Sequence, residues 1–87
     1  MKTRDKIEAI RIADLALRDR GDLHPHTGMG GMPFGISLEA LSLSNAIHEH
    51  GEWREAYTAG DGHMTGQRAV ARKAGMIEAD PGVWRFS

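Results

Sequence analysis

The sequence lacks the features that mark secreted and membrane proteins. It has no cysteine, so it cannot form disulfides, which fits a reducing compartment. No apolar run approaches the roughly 18 residues that a membrane span requires. Residues 1–6 are charged and lead into a helical pattern, whereas a signal peptide would continue into an apolar stretch. We therefore expect a soluble, cytoplasmic protein with no membrane partner.

Motifs of common enzymes are missing as well. There is no cysteine nucleophile, no Gly-Lys-Ser/Thr phosphate-binding motif and no His-Glu-x-x-His zinc motif. The glycines at 28, 30 and 31 are not followed by a helix placed to hold a phosphate, and the serines Ser37, Ser42 and Ser44 have no evident base. We predict a protein that is not an enzyme and needs no cofactor.

The charge is nearly balanced overall but unevenly distributed. The chain of 87 residues has a net charge of −1, and its length predicts one small domain that a partner subunit would help to stabilise. Basic residues outnumber acidic ones by two in residues 1–20 and by two in residues 63–87, whereas acidic residues exceed basic ones by five in residues 21–62. A monomer with this balance is not expected to bind DNA tightly through phosphates alone, and a dimer would double its basic surface.

The most informative stretch runs from Thr65 to Phe86. Thr65 can cap a helix, the residues that follow have apolar positions at helical spacing, and Gly75 can end the helix in a left-handed conformation. Two short runs, 76–79 and 83–86, then flank Asp80-Pro81-Gly82 and predict a β-hairpin. Because an L-Pro-Gly pair would splay the strands of a two-residue hairpin, we expect a loop of three to five residues.

These residues resemble a known kind of domain. Ala71, the segment 73–78 (Lys-Ala-Gly-Met-Ile-Glu) and the segment 82–85 (Gly-Val-Trp-Arg) are similar to the end of the winged-helix domains at the N-termini of Mrr-type restriction endonucleases. The resemblance covers about a quarter of the chain and does not include a nuclease domain. It implies a helix followed by a wing, a scaffold that serves both DNA binding and protein interaction.

The chain begins with a predicted helix that has two apolar faces. Thr3 or Asp5 can cap it, and it is expected to continue through Arg20 and to stop at Gly21. One face carries Ile7, Ile10 and Leu17, and the other carries Ile12 and Leu15. Two interpretations remain open: the helix is covered on both sides within one domain, or its second face packs on another copy of the chain.

Residues 21–36 are rich in glycine, proline and methionine and predict a long loop. All the histidines lie in the middle of the chain: His24, His26, His48, His50 and His63. With Asp22, the pair His24 and His26 has the residue types of a zinc site, whereas His48 and His50 would diverge at a helix end. We regard solvated histidines as the better interpretation and assign no metal.

A second helix is predicted over residues 38–50, with Ser37 as its N-cap and Gly51 as its stop. Residues 52–59 have Trp53, Ala56 and Tyr57 at helical spacing, which predicts a third, short helix. We expect Trp53 and Tyr57 to pack in or near the core.

The order of these elements is that of a winged helix-turn-helix with an extra N-terminal helix and no clear first strand, a fold that is mainly α with a small C-terminal β-hairpin. We divide the chain into an N-terminal helix (1–20) that is a candidate for dimerisation, the loop (21–36) and a winged-helix core (37–87). Trp84 and Phe86 would share one strand face and close the core, which favours this fold over a plain helical bundle.

Within that fold, the last helix would enter a groove of double-stranded DNA, and the protein would be a transcriptional regulator or accessory factor. Gln and Arg side chains suit the base edges of adenine and guanine, and further basic residues would contact phosphates. The predicted DNA-binding residues are Gln67, Arg68, Arg72, Lys73 and Arg85. The alternative is a protein-binding adaptor or inhibitor that engages a basic partner through its acidic middle section, including Glu49, Glu52 and Glu55.

Overall fold

The computed structural model of the chain describes residues 1–19, 37–58 and 64–87. These residues form a mainly helical fold with a small antiparallel sheet in the C-terminal part. The expected loop at 21–36, with His24 and His26, and the predicted helix end at Gly21 lie outside the described residues. In chain order the elements are α1 (Thr3–Asp19), α2 (Leu38–His50), β1 (Trp53–Arg54), a 3-10 helix (Glu55–Thr58), α3 (Met64–Ala74), β2 (Met76–Asp80) and β3 (Val83–Phe86).

Helix α1 buries one of its two apolar faces. Ile10 and Leu17 lie in the core, and Ile7 is partly buried against it. On the other side, Ile12 is 56% exposed and Leu15 is 40% exposed. The separation into two faces is therefore confirmed, and in the described part of the chain the second face is uncovered.

Local chemistry fixes both ends of α2, as predicted. The Ser37 hydroxyl oxygen accepts a hydrogen bond of 3.1 Å from the backbone N–H of Ala40. At the other end Gly51 has a φ of 76°, and its N–H donates to the carbonyl of Ile47 at 2.9 Å. The buried face of this helix carries Ala40, Leu43 and Ile47, which helical spacing places together.

The prediction of a helix over residues 52–59 was wrong. Trp53 and Arg54 form strand β1, which pairs antiparallel with β3 so that Trp53 lies opposite Trp84, and only residues 55–58 are helical, as a 3-10 helix. The helical spacing was overridden because β1 gains ladder hydrogen bonds and buries the Trp53 ring completely. Tyr57, which was expected to pack, is exposed and lies beside His50 with ring centroids 5.0 Å apart.

Helix α3 begins at Met64, so Thr65 lies inside its first turn and not at the cap. It ends at Gly75, as predicted, with a φ of 99° and an N–H that donates to the carbonyl of Arg72 at 3.1 Å. The hairpin also forms, but two residues, Pro81 and Gly82, connect its strands, so the expected longer loop was wrong.

A β-bulge makes that short connection possible. Glu78 pairs with Trp84 while Asp80 pairs with Val83, so β2 has one more residue than β3 over this stretch. The extra residue increases the local twist, and Gly82 takes a φ of 74° that suits a tight turn. The Gly82 N–H also donates to the Glu78 carboxylate at 2.9 Å.

The described strands form one sheet in the order β1-β3-β2, so the hairpin is joined by a first strand that the sequence did not predict. Trp84 and Phe86 point from β3 into the core, as expected, and Arg85 between them is exposed. The three helices pack against one another beside this sheet. Among the described residues, no helix is long and apolar enough to cross a bilayer.

Candidate functional site

Helix α3 has one buried face and one cationic face. Gln67, Val70 and Ala71 are fully buried against the rest of the domain. The opposite side carries three basic residues, and the sequence of α3 contains no acidic residue to offset them. These residues are Arg68, Arg72 and Lys73, of which Arg72 and Lys73 are exposed. The outer side of α3 is therefore a concentrated positive surface in a chain of nearly zero net charge.

Gln67, a predicted base contact, does not lie on this surface. Its side chain is 1% exposed, and its Oε1 atom has no hydrogen-bond partner within residues 1–19, 37–58 and 64–87. The sequence carried the signal for this placement, because Gln67 precedes Val70 and Ala71 by three and four residues and so shares their helix face. We leave Gln67 out of the candidate site.

Arg68 is held by Glu55, which lies at the start of the 3-10 helix. The guanidinium donates from Nε to Oε2 at 3.0 Å and from Nη2 to Oε1 at 2.5 Å, a two-point contact. This contact lowers the pKa of the Glu55 carboxyl, with a further contribution from Trp84, and raises the pKa of Arg68. The Arg68 side chain remains 41% exposed.

Trp84 connects this ion pair to Arg72. Its indole N–H donates to Glu55 Oε2 at 2.8 Å, and the Arg72 guanidinium lies 5.2 Å from the centre of its ring. That distance is within the range of a cation–π interaction. Trp84 therefore contacts Arg72 directly and is joined to Arg68 through their shared partner Glu55.

The sequence did not reveal the role of Glu55, which it placed in the acidic middle section. Glu55 is 13 residues from Arg68 and 29 from Trp84, so no local pattern connects them. Its backbone N–H also donates to the carbonyl of Gly82 at 2.8 Å. The site is therefore assembled from the 3-10 helix, α3 and the hairpin.

The other predicted cations are less constrained. Lys73 has no ion-pair partner within the described ranges. Arg85, on β3, is 3.7 Å from Asp80, and because both side chains are well exposed this pair contributes little to stability. Both residues can therefore turn toward an external anion at small cost.

The acidic residues of the alternative hypothesis differ in their surroundings, since each has a different partner. Glu52 accepts a hydrogen bond of 2.6 Å from Arg54, and Glu55 is bonded to Arg68. Glu49 is largely exposed and lies 3.8 Å from His50. Within residues 1–19, 37–58 and 64–87, no three histidine or acidic side chains come close enough together to hold a metal ion.

A buried acid that the sequence analysis missed lies under α3. The Glu39 side chain is 1% exposed, and neither carboxylate oxygen has a hydrogen-bond partner among the residues that the structure describes. It lies directly against Gly66, where a Cβ atom would be 2.9 Å from Oε2. Gly66 thus lets α3 approach α2 closely enough to orient its cationic face outward.

The described site is the positive face of α3, which lies next to the hairpin. Glu55 and Trp84 contact its arginines. Its exposed cations are Arg72, Lys73 and Arg85, which come from α3 and β3. Comparison with known proteins gives no match to any protein-family model, curated protein or solved structure.

Proposed function

We propose that this chain is a small, non-enzymatic protein that binds double-stranded DNA through α3, on a winged helix-turn-helix scaffold with α1 as an added helix. The order of the elements supports the scaffold: α2, β1, the 3-10 helix, α3 and then the hairpin β2–β3. The pairing of β1 with β3 supports it further, since it supplies the first strand that such a domain uses to complete its sheet.

The observation that carries the proposal is the charge of the outer face of α3. Arg72 and Lys73 are exposed, Arg68 is partly exposed beside Glu55, and the helix has no acidic residue. A helix of about 10–12 Å diameter fits the major groove of DNA, which is about 12 Å wide. In that position Arg72 and Lys73 would meet phosphates, and Arg85 would reach the backbone from the hairpin.

The near-neutral net charge sets the expected strength of binding. A single chain would make only a few phosphate contacts, so its affinity would fall clearly as salt rises. A second copy docked on the exposed face of α1, at Ile12 and Leu15, would present two α3 helices to one duplex. A role as a dimeric transcriptional regulator or accessory factor in the cytoplasm would suit such an arrangement.

The test is a titration of a fluorescently labelled random-sequence duplex, followed by anisotropy at several salt concentrations. We expect salt-sensitive binding that is weakened in the Arg72→Gln/Lys73→Gln double variant. Loss of two phosphate contacts should reduce the slope of log affinity against log salt by about 1.8. Arg68 is left in place because its removal would leave Glu55 without its main cationic partner.

The matched control is Arg4→Gln/Arg11→Gln, which removes the same charge from α1. Arg4 is exposed, and Arg11 pairs with Glu8 in an exposed contact, so the fold should be preserved. The control should bind nearly as well as the wild type. Equal weakening by both double variants would mean that net charge alone matters, and absence of binding by the wild type would reject the proposal.

A protein-binding adaptor is the second candidate, favoured by one surface feature. The exposed Tyr57 ring lies tilted beside His50, next to the exposed carboxylate of Glu49. They border a shallow cleft lined by Ser42, Asn45, Ala46, Glu49, His50 and Tyr57. An aromatic ring beside an acid suits a basic segment of a partner protein. If the wild type does not bind duplex at low salt, a pull-down compared with a Glu49→Lys variant tests this candidate.

A further inference from the structure

The contact between Arg68 and Glu55 uses one particular edge of the guanidinium. Nε and one N–H of Nη2 donate to the two carboxylate oxygens of Glu55. The opposite edge, which consists of Nη1 and the other N–H of Nη2, has no partner among the described residues. The two-point contact therefore fixes the plane of the guanidinium and leaves two parallel donors available.

The same contact removes most of the charge that Arg68 would offer to a phosphate. Glu55 lies against Arg68 at hydrogen-bond distance, so the pair has a net charge of about zero toward an approaching anion. Arg72 and Lys73 form no salt bridge with an acid in the part of the chain that the structure describes, although Arg72 lies near enough to Glu55 to help lower the pKa of that carboxyl. Among the three cations of α3, Arg68 is thus the least suited to a phosphate and the most precisely oriented.

A pair of fixed, parallel donors matches a base edge better than a phosphate. Guanine presents two uncharged acceptors, O6 and N7, in the major groove, and a two-point contact from arginine is the commonest specific one. Binding to uncharged acceptors depends more on the orientation of the donors than on their net charge. Trp84 contributes to this geometry because its indole N–H bonds to Oε2, the same oxygen that Nε of Arg68 contacts.

We infer that Glu55 is a specificity-determining positioning residue, which holds Arg68 as a reader of guanine while suppressing its attraction to phosphate. This inference rests on the proposed function, because it concerns the same face of α3. It predicts that removing the Glu55 charge has two opposite effects: affinity for arbitrary sequence rises, and discrimination between sequences falls.

The experiment begins with the wild-type chain. Duplexes that bind at moderate salt are selected from a random-sequence pool, and the dissociation constant is measured for the selected site and for the same site with its guanine–cytosine pair replaced by adenine–thymine. We expect guanine at a fixed position and a ratio of roughly 5- to 150-fold between the two duplexes. In Glu55→Gln the ratio should collapse toward one, while the salt slope on random duplex should steepen by about 0.9, as expected for one added phosphate contact.

Two further variants make the result decisive. Glu52→Gln removes the same charge from an acid that pairs with Arg54 outside α3, and it should leave the ratio unchanged. Arg68→Lys keeps the positive charge but lacks the planar guanidinium, so it should bind the two duplexes with nearly equal affinity. This variant tests the inference even if Glu55→Gln fails to fold. Folding of each variant is checked by circular dichroism and thermal unfolding.

The outcomes separate this inference from the proposed function. If the wild type binds duplex without preferring guanine, or if Glu55→Gln or Arg68→Lys keeps the wild-type ratio, the inference is overturned while DNA binding stands. If the wild type binds no duplex, the proposed function fails and the inference fails with it.

Discussion

Gly66 and Glu39 meet where the first turns of α3 and α2 pack together. A Cβ atom on Gly66 would lie 2.9 Å from Oε2 of Glu39, closer than real Cβ contacts, and 3.0 Å from its Cγ, which is also unusually tight. Because the Glu39 side chain is fully buried, it has little room to move aside. A glycine is retained inside a helix here because the neighbouring acid occupies the space of a side chain.

At the residue scale we predict that the effect of Gly66→Ala on the free energy of unfolding depends on whether Glu39 is present. Gly66→Ala should lower the free energy of unfolding by about 1–3 kcal/mol, the usual cost of overpacking. In a Glu39→Ala background the space is open, and the same substitution should be neutral or should stabilise by up to about 1 kcal/mol, because alanine favours the helix. Urea unfolding of the wild type, both single variants and the double variant measures the difference. Equal effects of Gly66→Ala in both backgrounds would contradict the contact.

At the scale of elements, Glu55 links the 3-10 helix to α3 and to β3. Its carboxyl is bonded to Arg68 and to the Trp84 indole, and these bonds lower its pKa. A lowered pKa means that the unfolded chain binds a proton more readily than the folded one. The stabilisation is therefore complete above the ordinary glutamate pKa of 4.5 and is lost as the pH falls through the lower value in the folded state.

The stability difference between the wild type and Glu55→Gln should consequently shrink on acidification. We expect the wild type to be the more stable of the two near pH 7 and to lose that advantage as the pH falls well below 4.5, measured by chemical unfolding at each pH. Glu8→Gln is the control, because the pKa of Glu8 is also lowered, by Arg11, but in a fully exposed pair on α1. It should show little dependence on pH, and a similar dependence in both variants would argue against a special role of Glu55.

The elements also show which parts of the fold the sequence could predict. The ends of α2 at Ser37 and Gly51 depend on local capping chemistry, and the sequence placed them correctly. Strand β1 forms because Trp53 pairs with Trp84, which lies 31 positions away in the sequence. The helical spacing of the apolar residues around Trp53 therefore led to a wrong prediction. The residue types of α3 were enough to predict its charged face. Its contact with Glu55 could not be predicted, because Arg68 and Glu55 are brought together only by the fold.

At the scale of the whole molecule, the outer face of α1 is an exposed apolar surface. Ile12 and Leu15 are three residues apart on one side of the helix and are exposed in the described part of the chain. Our proposal assigns this face to a second copy, whose α3 would supply the additional cations that a chain of charge −1 needs on DNA.

This proposal predicts a concentration-dependent dimer in sedimentation equilibrium. The Ile12→Glu/Leu15→Glu double variant should be monomeric under conditions where the wild type associates, since it places two charges in the contact. Ile77→Glu, which alters an exposed apolar residue of β2, should associate like the wild type. A wild type that stays monomeric at all concentrations would remove the dimer from the proposal.

The strand order has a consequence for how the chain folds. Strand β3 is central, and β1 and β2 each pair with it and not with each other. During synthesis β1 and β2 are therefore made before β3, the strand with which both of them pair in the described sheet. Strand β2 waits only for a turn to form, but β1 must close a loop that contains all of α3, which is the slower kind of contact. Helices α1 and α2 can pack early, so the surface that we propose for DNA is completed last.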